Sequence, residues 1–180
     1  MAFSTTRLEL PDVILIRSDI YSDNRGSFME TYARVPFSKA GITAEFIQDN
    51  QSLSLKPGTL RGLHFQREPA VQAKLVRVLV GSIYDVAVDI RPQSPSYGRW
   101  CGASLTAGGG EQLFVPGGFA HGFVTLEPNT IVSYKVDAPY TPQAEGGIRW
   151  NDPSVNIKWP LPAGGPILAE RDSQLPFLQG

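Results

Sequence analysis

Hydrophobic and polar positions alternate with a short period along most of this 180-residue chain, and glycine and proline break the pattern at close intervals. Runs rich in β-branched and aromatic residues at 13–16, 75–80, 83–90, 112–115 and 131–136 read as strands. The run Asp85-Val86-Ala87-Val88-Asp89-Ile90-Arg91 alternates cleanly. Val86, Val88 and Ile90 share one face, and Asp85, Ala87, Asp89 and Arg91 share the other. Many short strands with turn signals between them predict an all-β sandwich or barrel. A mostly antiparallel barrel with a polar-lined interior would be a container for a ligand. The pattern allows a helix only over 35–40, where Gly41 is placed to stop it. From Pro160 onward, proline and glycine predict an irregular tail packed on the barrel, and Gly108-Gly109-Gly110 reads as a hairpin loop. No internal repeat and no linker divides the chain, so residues 1–180 are expected to form one domain.

Composition narrows the function classes. Hydrophobic residues at 42% and charged residues at 18% describe a globular rather than a disordered chain. A net charge of −1 gives no bulk attraction to nucleic acid or to an anionic membrane. No stretch approaches the ~18 uninterrupted apolar residues of a membrane span. The one cysteine, Cys101, excludes an intrachain disulfide and fits a reducing compartment. Residues Met1 to Arg7 lack a basic segment followed by an apolar run, and a cytoplasmic location is expected.

The chain holds two histidines, His64 and His121, both in short apolar segments beside glycine. A histidine between Leu63 and Phe65 on a strand is either a satisfied core residue or a catalytic base, because imidazole exchanges its proton near neutrality. Two histidines in a β-barrel also raise a 2-His-1-carboxylate metal site. No His-x-His pair occurs, and Glu68, four residues beyond His64, precedes Pro69 in a loop-like segment, so no metal is expected. Cys101, between Trp100 and Gly102 on a strand, reads as an inert buried thiol. No Gly-x-Ser-x-Gly elbow and no glycine-rich phosphate loop is present. Acid–base chemistry remains, with Tyr134 and Tyr140 as candidate acids and Asp85, Asp152 and Asp172 among the candidate carboxylates. Lys74 heads the apolar run Leu75-Val76-Arg77-Val78; it is a solvated strand end or, if it points inward, a stabiliser of a developing oxyanion.

Several segments, in order and over nearly the whole chain, resemble the dTDP-4-dehydrorhamnose 3,5-epimerase family. They include Asp23-Asn24-Arg25-Gly26-Ser27-Phe28-Met29-Glu30, Gln48-Asp49-Asn50 and Arg61-Gly62-Leu63-His64-Phe65-Gln66. Further on come Lys74 to Val78, Asp85 to Arg91, Val115 to Phe123 and Tyr134-Lys135. Gly147-Ile148-Arg149-Trp150-Asn151-Asp152-Pro153 and Ile167 to Asp172 complete the set. The resemblance implies a cupin-like jelly-roll barrel with short peripheral helices, a homodimer, and no metal or cofactor. It implies a nucleotide-linked 4-keto-6-deoxyhexose as substrate, inverted at C3 and C5 to give dTDP-4-dehydro-L-rhamnose. By the resemblance His64 is the base, Asp172 orients it, Tyr134 is the acid on the opposite face, and Lys74 stabilises the enolate. Arg25, Glu30, Gln48, Asn50 and Arg61 match nucleotide- and diphosphate-binding positions, Asp49 beside them is a further substrate-binding candidate, and His121, Tyr140, Glu145 and Arg171 match further pocket positions.

Two features pull against this. On an ideal strand Arg61 and His64 face opposite ways, so a bulge, the strand end or a partner subunit must intervene. Many relatives carry Asn-His-Ser-Arg-Ser where this chain has Asn50-Gln51-Ser52-Leu53-Ser54, which removes a basic residue. Other readings are an epimerase acting at one carbon only, a sugar ketoisomerase, a non-catalytic nucleotide-sugar binder and a metal-dependent cupin oxygenase.

Overall fold

The computed structural model describes residues 3–179. Thirteen strands and two short helices follow in chain order. They are β1 Phe3–Arg7, β2 Ile14–Ser18, β3 Tyr21–Asp23, β4 Gly26–Phe28, α1 Arg34–Lys39, β5 Gln48–Ser54, β6 Leu60–Gln66 and β7 Lys74–Val80. Then come β8 Ser82–Asp89, β9 Trp100–Thr106, β10 Glu111–Val115, β11 Phe119–Thr125, β12 Thr130–Val136, β13 Glu145–Gly147 and α2 Glu170–Ser173. One six-stranded sheet runs β1-β2-β10-β7-β12-β5, and one five-stranded sheet runs β13-β6-β11-β8-β9. Every pairing between these strands is antiparallel, and β3 and β4 form a separate hairpin. The strand pattern predicts a sandwich or barrel, and the arrangement is the jelly roll that the resemblance implies. Among the described residues no helix is long and apolar enough to cross a membrane.

The two sheets enclose a core of Leu15, Val76, Val78, Ala87, Leu105, Leu113, Phe123 and Val132. Alternation along each strand sends the next side chains outward into two further clusters. Ile14, Ile16, Leu75 and Phe114 lie under α1, which inserts Phe37 between Phe3 and Tyr32 at ring separations of 4.7 and 5.1 Å. A six-residue helix has too few hydrogen bonds to stand alone. Burying Phe37 contributes roughly 1.5–3 kcal/mol toward holding it. On the other outer face, Leu63, Val86, Val88 and Ala120 are covered by Ile148, Val155, Trp159 and Leu178 of the C-terminal segment.

The alternation at 85–91 therefore has a definite sense. Its valines face the C-terminal cover, and Asp85 and Ala87 face the barrel interior. One expectation fails. Gly108-Gly109-Gly110 does not close a hairpin, because β9 pairs with β8 whereas β10 pairs with β2 and β7. The glycines turn the chain from one sheet to the other, and turn residues alone do not distinguish a hairpin from such a corner.

Candidate active site

The polar end of the interior is built from β5 and β12 on one wall and from β6 and β11 on the other. Position 62 makes this possible. In β6, His64 stands opposite His121 and Arg61 stands opposite Phe123, so three residue steps on β6 match two on β11. That extra residue is a β-bulge, and it turns Arg61 and His64 to the same face. Gly62 has φ +116°, and a Cβ there would lie 2.7 Å from Gly122 Cα and from the His121 carbonyl oxygen. Only glycine fits that backbone at that distance.

His64 Nε2 lies 2.8 Å from Asp172 Oδ1, and Asp172 Oδ2 accepts the Gly62 N–H at 3.2 Å. Burial pushes the Asp172 carboxyl up. The hydrogen bond and charge of His64, the Gly62 N–H and Arg171 outweigh that effect and hold it below the ordinary carboxylate range. An ionised carboxylate only accepts, so Nε2 carries the proton and the other ring nitrogen of His64 is the basic one. Asp172 is 4% exposed while the His64 side chain keeps 28% of its surface, which orients a base toward an open cleft.

That cleft, about 250 Å³, is lined by His64, Lys74, Tyr134, Tyr140, Glu145 and Arg171, together with Phe65, Gln66 and Gln72. Tyr134 projects from the opposite sheet to His64. Burial pushes its phenol above the ordinary value, and the Arg61 charge offsets this in part. Lys74 is buried; burial pushes its amine down to about 8, against the pull of the Asp137 and Asp85 charges. At the rim, Glu145 receives Tyr140 Oη at 2.9 Å and Arg171 Nη1 at 3.0 Å. Larger clefts of about 760 and 550 Å³ lie outside the barrel, and neither is lined by a histidine.

The remaining sequence-picked residues divide. His121 is buried beside His64, with Nε2 2.6 Å from Asp85 Oδ1. Gln48 and Asn50 share the face of β5 that meets Tyr134, and Gln48 donates to Asn50 at 2.9 Å. Arg61 reaches the Ser54 hydroxyl at 3.3 Å and the Leu53 carbonyl at 3.1 Å. Asp49 is not brought to the site. It alternates to the outer face of β5, where Lys135 Nζ holds it at 2.8 Å. Arg25 sits exposed in the β3–β4 hairpin, paired with Asp23, and neither it nor Glu30 lines the cleft.

The sequence reading gave no role to the Gly62 N–H, to Gln72, or to Asp85 as the partner of His121. Alternation from Ala87 could have placed Asp85 inside the barrel. No local signal marks the Gly62 N–H. Cys101 is buried, and burial pushes its thiol up to about 11, which fits an inert residue.

The family model for dTDP-4-dehydrorhamnose 3,5-epimerase matches residues 7–180. A protein of that description from Sinorhizobium fredii is 47% identical over 171 residues, covering 95% of this chain and 87% of its own length. A Bacillus anthracis structure of the same description, with TDP and pyrophosphate bound, superposes at a TM-score of 0.94. It is 45% identical and covers 98% of this chain and 100% of that one. A Legionella pneumophila structure, described as dTDP-6-deoxy-D-glucose-3,5-epimerase in complex with dTDP-4-keto-L-rhamnose, gives 0.93 at 39% identity, covering 98% and 93%. A Streptomyces bikiniensis 3'-monoepimerase with dTDP-quinovose is more distant, at 0.88 and 29% identity over 95% of this chain and 86% of that one.

Proposed function

This chain belongs to the dTDP-4-dehydrorhamnose 3,5-epimerase family, and from that premise we propose how its own residues invert C3 and C5 of dTDP-4-dehydro-6-deoxy-D-glucose. Both carbons flank the C4 ketone, so a C–H bond at either can be broken if the electrons passing to the C4 oxygen are stabilised. The free nitrogen of His64 takes the proton. Asp172 holds the ring and stabilises the imidazolium. The Lys74 ammonium stabilises the enolate oxygen. Tyr134 returns a proton from the opposite wall, so the carbon inverts. A half-buried phenol, held protonated at neutral pH, suits that delivery because the enolate carbon is the stronger base. The observation that carries this reading is one cleft with a carboxylate-paired histidine on one sheet and a half-buried tyrosine on the other.

Arg61, whose charge acts on Tyr134, and Gln48 and Asn50, on the face of β5 that meets Tyr134, are assigned to the nucleotide diphosphate, which suits a planar, always-charged guanidinium. His121, Tyr140, Glu145 and Arg171 are assigned to the sugar. Arg25 in the β3–β4 hairpin and Glu30 just after it lie away from this cleft, and they are assigned to the cleft of a partner subunit in a homodimer. A cytoplasmic setting is part of the same proposal.

Proton NMR of dTDP-4-dehydro-6-deoxy-D-glucose with the protein in deuterated water tests the reading. Loss of both the H3 and H5 signals with formation of the L-lyxo product is expected. Loss of one signal alone would favour the single-carbon reading that the Streptomyces neighbour represents. No exchange at either carbon would overturn the assignment.

A further inference from the structure

Asp172 stands on α2, a single helical turn whose N-cap residue, Ala169, makes no side-chain cap bond. A lone turn fixes several dihedrals for one hydrogen bond and cannot hold its own geometry. Its carboxylate nevertheless keeps bonds of 2.8 and 3.2 Å to His64 and Gly62. Something outside α2 must position it. On the upstream side, Ile167 bonds the backbone of Gly58 and Leu60 at the start of β6. On the downstream side, the chain is gripped by the run that follows β13.

That run joins the strand that carries the base to the chain that leaves α2. Gly147 pairs with His64, and Ile148 exchanges two backbone bonds with Leu63, at 3.0 and 3.1 Å. From the next residue on, the same run holds the chain that leaves α2. The Arg149 N–H donates to the Pro176 carbonyl and its Nε to the Leu175 carbonyl, both at 2.8 Å, while its guanidinium lies 4.7 Å from the centre of the Phe177 ring. Asp152, 2% exposed, accepts at Oδ1 from the Ser154 N–H, the Ser154 hydroxyl and the Val155 N–H. Its Oδ2 accepts the Leu178 N–H at 2.5 Å. Gly147 lets the two strands close: a Cβ there would meet the Leu175 side chain at 2.6 Å and the Leu63 carbonyl at 2.9 Å.

We propose that Arg149 and Asp152 are positioning residues. They fix the chain after α2 against the strand that pairs with His64, and so set Asp172 in register with the base. The proposal rests on the reading of His64 and Asp172 as the reacting pair.

Asp152→Asn isolates the effect. Three donors hold the Oδ1 side as oxygen, so the new amide presents its NH₂ to the Leu178 N–H, and only the bond to the departing chain is lost. We expect kcat to fall roughly 10- to 100-fold, as a misplacement of about 1 Å does. KM and dTDP affinity should stay within about twofold, because only the transition-state interaction is touched. The chain has two histidines, so imidazole nitrogen NMR separates them. The His64 ring signal should move and that of His121, on Asp85, should not. In an Asp172→Asn background, Asp152→Asn should add less than about twofold, since the two act through one contact.

An unchanged kcat, equal movement of both histidines, or full multiplication of the two effects would overturn the proposal. Arg149→Lys, which keeps the charge but loses the Nε donor, should give the same split to a smaller degree. Loss of the fold in both variants would assign these residues to stability alone and would also overturn it. The ring signals are read without substrate, so failure of the epimerase reading shows separately, as absent turnover by the unmodified protein.

Discussion

At the residue scale the site separates its groups by environment. His64 is half-open on a buried carboxylate, whereas Lys74 and Tyr134 are pushed toward their neutral forms by burial. His64→Ala should lower kcat by ~10²–10⁴, the usual worth of a positioned acid–base group, and a loss within about tenfold would remove it as the base. Lys74 gives a pH prediction with a definite sign. Its ammonium is needed and is held down to about 8, so kcat/KM should decline as pH rises through about 8. Tyr134, pushed above its ordinary value, loses its proton only at higher pH. Stability responds the other way. Between about 8 and the ordinary 10.5 the unfolded chain holds a proton on Lys74 that the folded chain has released, so this group's contribution to stability rises with pH. Alkaline inactivation without unfolding is therefore expected. Lys74→Met should be slow at every pH and lack that limb, and an identical alkaline limb in the variant would place the titration elsewhere.

At the scale of elements, the strands were legible because a half-buried strand writes its two faces into alternate residues. Those expected at 75–80, 112–115 and 131–136 differ from β7, β10 and β12 by one residue at the start, and that at 83–90 is shifted by one residue from β8. The same rule applied to β5 puts Asp49 on the face away from Gln48 and Asn50. A motif match carries no such face information, so it grouped all three. The bulge in β6 was legible only as a contradiction, since Arg61 and His64 could not share a face without one. Gly62→Ala should show what it contributes. The left-handed φ costs about 1–3 kcal/mol for a residue with a Cβ, before the contact with Gly122 is counted. For a chain of this size each kcal/mol lowers Tm by ~2–4 °C. Calorimetry and rate should fall together, because relief of the clash moves His64. A variant with unchanged Tm and rate would remove the bulge from the argument. The carboxylate that holds His64 was the part least legible from the pattern of the chain. Asp172 lies in a stretch whose prolines and glycines read as an irregular tail, and only contacts far away in sequence make that tail a scaffold.

At the scale of the whole molecule, Arg25 and Glu30 are sequence-picked residues that, like Asp49, do not line the cleft of their own protomer. Arg25 and Glu30 belong to the β3–β4 hairpin and the chain after it, separate from both sheets. The hairpin exposes Tyr21 and Phe28 at 58% and 70%. Aromatic side chains so placed lower their free energy by covering one another or a neighbour. If each hairpin reaches the partner's cleft, then Arg25→Ala and His64→Ala damage different subunits of the same site. In a mixed dimer, the site whose own His64 is intact receives its Arg25 from the His64→Ala partner and is complete. The other site carries both defects. With random exchange half the dimers are mixed, and each holds one complete site of two, so mixing two weak variants should recover about a quarter of the unmodified rate. If Arg25 serves its own subunit, every site in the mixed dimer keeps one defect, and the mixture can only average its components. A rate above that average therefore requires the hairpin to cross between subunits. A mixture that merely averages, after exchange has been verified by mass, would return Arg25 to the surface of its own protomer.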